Sequence, residues 1–214
     1  MTGIIDAAKN SKNKRLAITV IGIYVLLRMV ADPFFWRYVS EIYSYAFEII
    51  FVSATYFFFK EQVKVYRTPD RKDFQAASLM LLVGLVTYHG ASLVHAPIPF
   101  DLSSSETVFL LLVLSPLLEE LIFRMALWEA FEVLFKKNSL TLFATTILFA
   151  AGHFAAYWFV PEQYQSFVIY QTLYAGFLGL IAGWRRMRSD SITSGVWIHF
   201  AFNLGFFIAS KVFV

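Results

Sequence analysis

Seven apolar runs, divided by short polar or basic stretches, lay out this chain. They fall at about Leu16–Ala31, Ile42–Phe59, Phe74–Val94, Glu106–Phe135, Leu140–Val160, Phe167–Trp184 and Ile192–Ala209. Runs of this length predict helices that cross a hydrocarbon core of about 30 Å. The breaks carry ordinary stop signals: Asp32-Pro33, the basic loop Lys60–Asp73, the two prolines after His95, Lys136-Lys137-Asn138, Pro161, and the basic turn Arg185-Arg186-Met187-Arg188. The fourth run is the odd one. As one helix it would be roughly 45 Å long at 1.5 Å per residue, so it must tilt, kink near Pro116, or leave the bilayer after Trp128. The expected fold is all-α: a polytopic transmembrane helical bundle of about seven spans. A broken or re-entrant eighth segment around 34–46 or 128–138 is the alternative. No repeat or second domain breaks the pattern, so residues 1–214 are read as a single integral membrane domain.

Composition agrees. Hydrophobic residues make up 58% of the 214 and charged ones only 15%, where a soluble domain has about 45–50% and 25%. The absence of cysteine removes disulfides, thiolate metal sites and a thiol nucleophile. The net charge of +3 does not point to nucleic acid, because the basic residues lie between apolar runs. Their distribution is informative in another way. With the N-terminus inside, fourteen of the eighteen Lys and Arg fall in inside segments and two, Arg37 and Lys211, outside. This predicts a cytoplasmic N-terminus and an outer C-terminus. The first run lacks a small-residue cleavage site and is read as a retained span.

Within this apolar background one stretch stands out, Ser115-Pro-Leu-Leu-Glu-Glu-Leu-Ile-Phe-Arg-Met125. A charge at the bilayer centre costs at least about 2.5–3.5 kcal/mol, so three in six residues need a reason. Glu120 and Arg124 share a helix face and can pair. Glu119 lies about 100° round the helix and is left over, a candidate general base. A structural ion pair with a polar contact between helices is the competing reading. Two more runs carry polar groups: His153, and His199 with Asn203 at i,i+4. Polar groups from three spans should converge in the bundle interior, since facing them to lipid is costly. Gly176, Gly179 and Gly183 serve close helix packing. His89 and His95 fit interfacial or loop positions, and Glu41 and Glu48 share a face that looks into the bundle or toward Arg28.

Such a cluster can hydrolyse without a serine or cysteine. A carboxylate takes a proton from a water that a histidine holds, while a second histidine and an amide donate to the oxyanion. The same donors, Glu119, His153 and His199, also make an acceptable catalytic zinc set. There is no H-E-x-x-H helix. A cation or proton carrier is the rival from another class, although the inverted repeats common in carriers are missing.

Taken jointly and in order, Glu119-Glu120-x-x-x-Arg124, Phe149-x-x-x-His153 and His199-x-x-x-Asn203 resemble the CAAX protease and bacteriocin-processing family of intramembrane endopeptidases, also called the Abi family. The resemblance covers about Leu111–Phe207. It implies a glutamic-type peptide hydrolase acting on a membrane-associated protein or peptide, with no cofactor expected and zinc as the alternative. Glu119 would be the base, His153 would help hold the water, and His199 and Asn203 would stabilise the oxyanion. Glu120 would orient the site by pairing with Arg124. A non-catalytic immunity or adaptor protein is a further alternative. The compact loops look prokaryotic, which implies the cytoplasmic membrane and a substrate other than a prenylated tail. Glu119 and His199 should lie near the midplane, roughly 17–18 Å deep. A polar cavity is therefore expected between spans four, five and seven, with the face it opens to undecided.

Overall fold

The computed structural model describes residues 2–31, 42–59 and 67–212, and every regular element among them is helical. Helix α1 is Thr2–Leu26, prolonged by a wide turn at Leu27–Ala31. Helices α2 and α3 are Ile42–Phe59 and Arg71–Leu93. Helix α4 spans residues 105–135 as consecutive segments, with wide turns at Leu110–Leu114 and Ile122–Ala126 on either side of Ser115–Leu121. Helix α5 is Asn138–Phe154, extended by a tight turn at Ala155–Trp158. After a short turn, Glu162–Tyr164, come α6, Gln165–Ser189, and α7, Thr193–Val212.

Each apolar run therefore holds a helix. Four helical stretches are long and apolar enough to cross a membrane: Arg71–Leu93, Asn138–Trp158, Glu162–Ser189 and Thr193–Val212. The fourth run continues as helix through Pro116 and past Trp128 to Phe135. A left-handed Lys136, at φ 51°, then turns the chain directly into α5, so no separate segment forms at 128–138. The other place for an extra segment, 34–46, lies mostly outside the described residues, as does Glu41. Glu48 pairs with Arg28 at 3.2 Å, as its face predicts.

Helices α3 and α7 approach each other closely because two glycines face backbone. A Cβ on Gly84 would run into the Phe202 carbonyl, and one on Gly205 into that of Leu81. Gly179 and Gly183 of α6 meet Phe149 and Leu142 of α5. The apolar side chains left outside, such as Ile50, Phe57, Val86 and Leu173, form the surface a bilayer would cover.

The two ends of the bundle differ. At one end Asp70 caps α3 in a capping box with Asp73, and the backbone N–H of Asp73 holds the Asp70 carboxyl below its usual range. The buried Asp73 also takes Arg67 and Arg185, the latter through Nε at 3.1 Å, while the Arg67 backbone N–H reaches Thr193 Oγ1 at 3.2 Å. The basic turn after span six is thus a departure from expectation. The helix runs five residues past Trp184, to Ser189. Arg185 and Arg186 are buried because Asp73 and Glu129 neutralise them, the second pair at 2.9 Å. At the opposite end Lys211 Nζ donates to Leu102 O at 2.9 Å, and Phe100 packs edge-on against Phe167.

Candidate active site

Helix α4 is shaped by its proline. Pro116 has no N–H and its ring crowds the preceding turn, so a carbonyl there loses its helical donor. The wide turn before it lets Ser115 N–H reach back to Leu110 O. Such turns occur often at functional sites. Asn203 of α7 supplies a donor to the broken ladder: its Nδ2 gives a hydrogen bond to Leu111 O at 2.7 Å. One amide hydrogen is thereby committed to structure. The second is free to serve a ligand.

One turn further along, Glu120 is wholly buried. Arg124 Nε lies 3.1 Å from Glu120 Oε2, and Arg124 Nη2 donates to Gly179 O at 3.0 Å. The guanidinium also sits over the Phe149 ring, 4.9 Å from its centre. Glu120 Oε1 is 3.2 Å from His199 Nδ1. Gly195, one turn before His199, leaves room for this carboxylate: a Cβ there would collide with Glu120 Oε2. No spacing along the chain marks Gly195; its contact with Glu120 comes from the close approach of two distant helices.

The two imidazoles present the same atom to Glu119. His153 Nδ1 lies 2.9 Å from Phe149 O. A carbonyl only accepts, so Nδ1 carries the hydrogen and a neutral His153 leaves Nε2 as an acceptor. His199 is anchored through Nδ1 by Glu120 and likewise turns Nε2 inward. Glu119 Oε2 faces both, 4.0 Å from His153 Nε2 and 3.8 Å from His199 Nε2. Among the described residues Oε2 has no direct hydrogen-bond partner. Phe149 packs edge-on against both rings. All six expected residues, Glu119, Glu120, Arg124, His153, His199 and Asn203, are therefore grouped around one stretch of α4, whereas His89 and His95 are not among them.

A cavity of about 620 Å³ adjoins Glu119, His153, His199 and Asn203. Its lining includes residues of α4, α5 and α7, and of α6 through Val168, Gln171, Tyr174 and Leu178. A recess of about 220 Å³ continues from Glu119 and His153 toward Arg28, Ser44 and Glu48 of α1 and α2. Sequence reading missed Ser115 and Gln171, which line both spaces; nothing but their polarity inside an apolar run could have drawn attention to them. Among the described residues no group of three or more acidic or histidine side chains is placed to hold a metal ion.

The fold and this interior define a helical membrane protein with a buried acid–histidine site. Residues 103–205 match the family model for type II CAAX prenyl endopeptidase Rce1-like proteins, so about half of the chain is similar to that family of membrane proteases. No curated protein and no solved structure matches the chain.

Proposed function

We propose that the chain is a glutamic-type intramembrane endopeptidase, crossing the bilayer seven times and cleaving a membrane-associated protein or peptide. The observation that carries this reading is Glu119 Oε2 facing both imidazole Nε2 atoms across 3.8 and 4.0 Å, beside a cavity of about 620 Å³. Across such gaps a water oxygen can sit at hydrogen-bonding distance from two of these atoms. The water gives one hydrogen to Glu119 and the other to His153 Nε2. Glu119 takes its proton as the oxygen attacks the scissile carbonyl. The remaining hydrogen of Asn203 Nδ2, and His199 through Nε2–H when protonated, donate to the oxyanion. Glu119 then returns its proton to the departing amine, and the proton balance closes. Glu120 and Arg124 position His199 rather than touching substrate.

The test compares the deletion strain carrying wild type or Glu119→Gln at equal abundance, reading protein termini by mass spectrometry. A small set of termini produced only by the wild type is the expected result. Identical termini in both strains, under conditions where deletion has a phenotype, would assign the chain to the non-catalytic or carrier class.

A further inference from the structure

Resting on that reading, we infer that the site draws its substrate from the face opposite the basic turns. The substrate is an apolar, weakly charged peptide segment on the extracytoplasmic side.

The first ground is position. The large cavity is bordered by Phe100, Asp101, Thr107, Val160, Pro161 and Tyr164. Five of these belong to the 94–104 loop or the connection before α6, and Thr107 opens α4. These connections meet at the end of the bundle where Lys211 holds Leu102 and Phe100 packs on Phe167. From α5 the walls take His153 onward plus Phe149, and from α7 His199 onward, in both cases the half farther from the basic end. The recess has the same bias: Arg28 ends α1, Ser44 and Glu48 begin α2, and Ala155 to Phe159 follow α5. Neither space reaches the end where Arg67, Asp73 and Arg185 are tied together.

The second ground is orientation. Short loops rich in Lys and Arg stay in the cytoplasm, and acidic neighbours count for little in that bias, so burial of Arg185 and Arg186 against carboxylates does not cancel it. In the seven-span reading of the sequence, fourteen Lys and Arg fall in the segments on the side of the closed end and two in the others. The mouth is therefore extracytoplasmic.

The third ground is chemistry. Among the described residues the large cavity is lined by no Lys or Arg, and most of that wall is aromatic or aliphatic. The cation of the recess, Arg28, is paired with Glu48. A segment dense in carboxylates, or anchored by its terminal carboxylate, would lie there without a counter-charge. An uncharged apolar segment loses nothing on entry.

The chain has no cysteine, which makes site-directed labelling direct. Single variants Asp101→Cys, Ala156→Cys and Asn138→Cys are treated in intact cells with a membrane-impermeant maleimide. Asp101→Cys and the cavity-wall Ala156→Cys should label from outside, and Asn138→Cys only after permeabilisation. Outside labelling of Asn138→Cys overturns the orientation. Labelling of Ala156→Cys only after permeabilisation, or only after denaturation, overturns the outward mouth. Repeating the set with Glu119→Gln separates the two ideas, because access does not need turnover. An unchanged pattern in a variant that alters no termini keeps the mouth and removes the protease. Wild-type-dependent termini should map to outer, apolar flanks of membrane proteins; termini confined to cytoplasmic segments overturn the substrate class.

Discussion

Adding a single methyl group at Gly195 tests whether Glu120 is a fixed part of the machine. In Gly195→Ala the new Cβ lands on Glu120 Oε2, which also faces Arg124 Nε. The carboxylate must retreat by about 1 Å to restore an ordinary carbon–oxygen contact. It has little room, because Oε1 already holds His199 Nδ1 at 3.2 Å and the side chain is fully buried. Either that bond lengthens out of range or the imidazole follows. A misplacement of about 1 Å in a catalytic group can cost about 100-fold in rate, near 2.7 kcal/mol of barrier. Overpacking should lower stability by about 1–3 kcal/mol. The assay is single-turnover cleavage of an identified substrate in proteoliposomes, normalised to folded protein by size exclusion and thermal unfolding. Gly176→Ala is the control, since its Cβ would meet only Ala150 Cβ at 3.7 Å. The rate constant should fall in Gly195→Ala with KM nearly unchanged, because Gly195 does not line the cavity, and Gly176→Ala should match wild type. A folded Gly195→Ala enzyme within about twofold of wild type would refute the argument that Glu120 positions His199.

Three shorter predictions follow. Asn203→Ala should slow cleavage and also destabilise the fold by about 1–3 kcal/mol, as Leu111 O loses its donor; adding Pro116→Ala, which restores a backbone N–H, should recover part of the stability but none of the rate, and strictly additive unfolding energies would reject the coupling. Asp73→Asn leaves Arg67 and Arg185 with Asp70 as their charged partner at the basic end and should cost about 1–3 kcal/mol in stability, with unchanged turnover per folded molecule in cleavage assays. Elemental analysis of purified protein should find less than stoichiometric zinc, and chelator treatment should leave cleavage intact; stoichiometric zinc lost in His153→Ala would instead select the metal mechanism.

How far the sequence carries depends on the range over which each residue acts. Glu120 with Arg124, and His199 with Asn203, are separated by one helical turn, so their shared faces follow from spacing alone. The convergence of three helices follows from the cost of exposing such groups to lipid. Other features depend on contacts between distant segments. Glu120 reaches His199 only because Gly195 lacks a Cβ, a fact of close approach between α4 and α7 that no periodicity reveals. Asn203 looked like an oxyanion donor alone; the carbonyl stranded by Pro116 lies 92 residues away in sequence. Arg185 and Arg186 looked like a solvated turn, because a run of basic residues beside an apolar helix usually is one. Their burial needed Asp73 and Glu129, each on another helix. The same contacts explain why α4 bears two wide turns. Leu111 O receives Asn203 and Arg124 O receives Arg186 Nε at 3.0 Å. The helix that carries both glutamates is thus held by side chains from α6 and α7 through its own backbone, on either side of Glu119 and Glu120. A rigid setting of that kind keeps Glu119 aligned with two imidazoles 3.8 and 4.0 Å away, which the proposed role as a base requires.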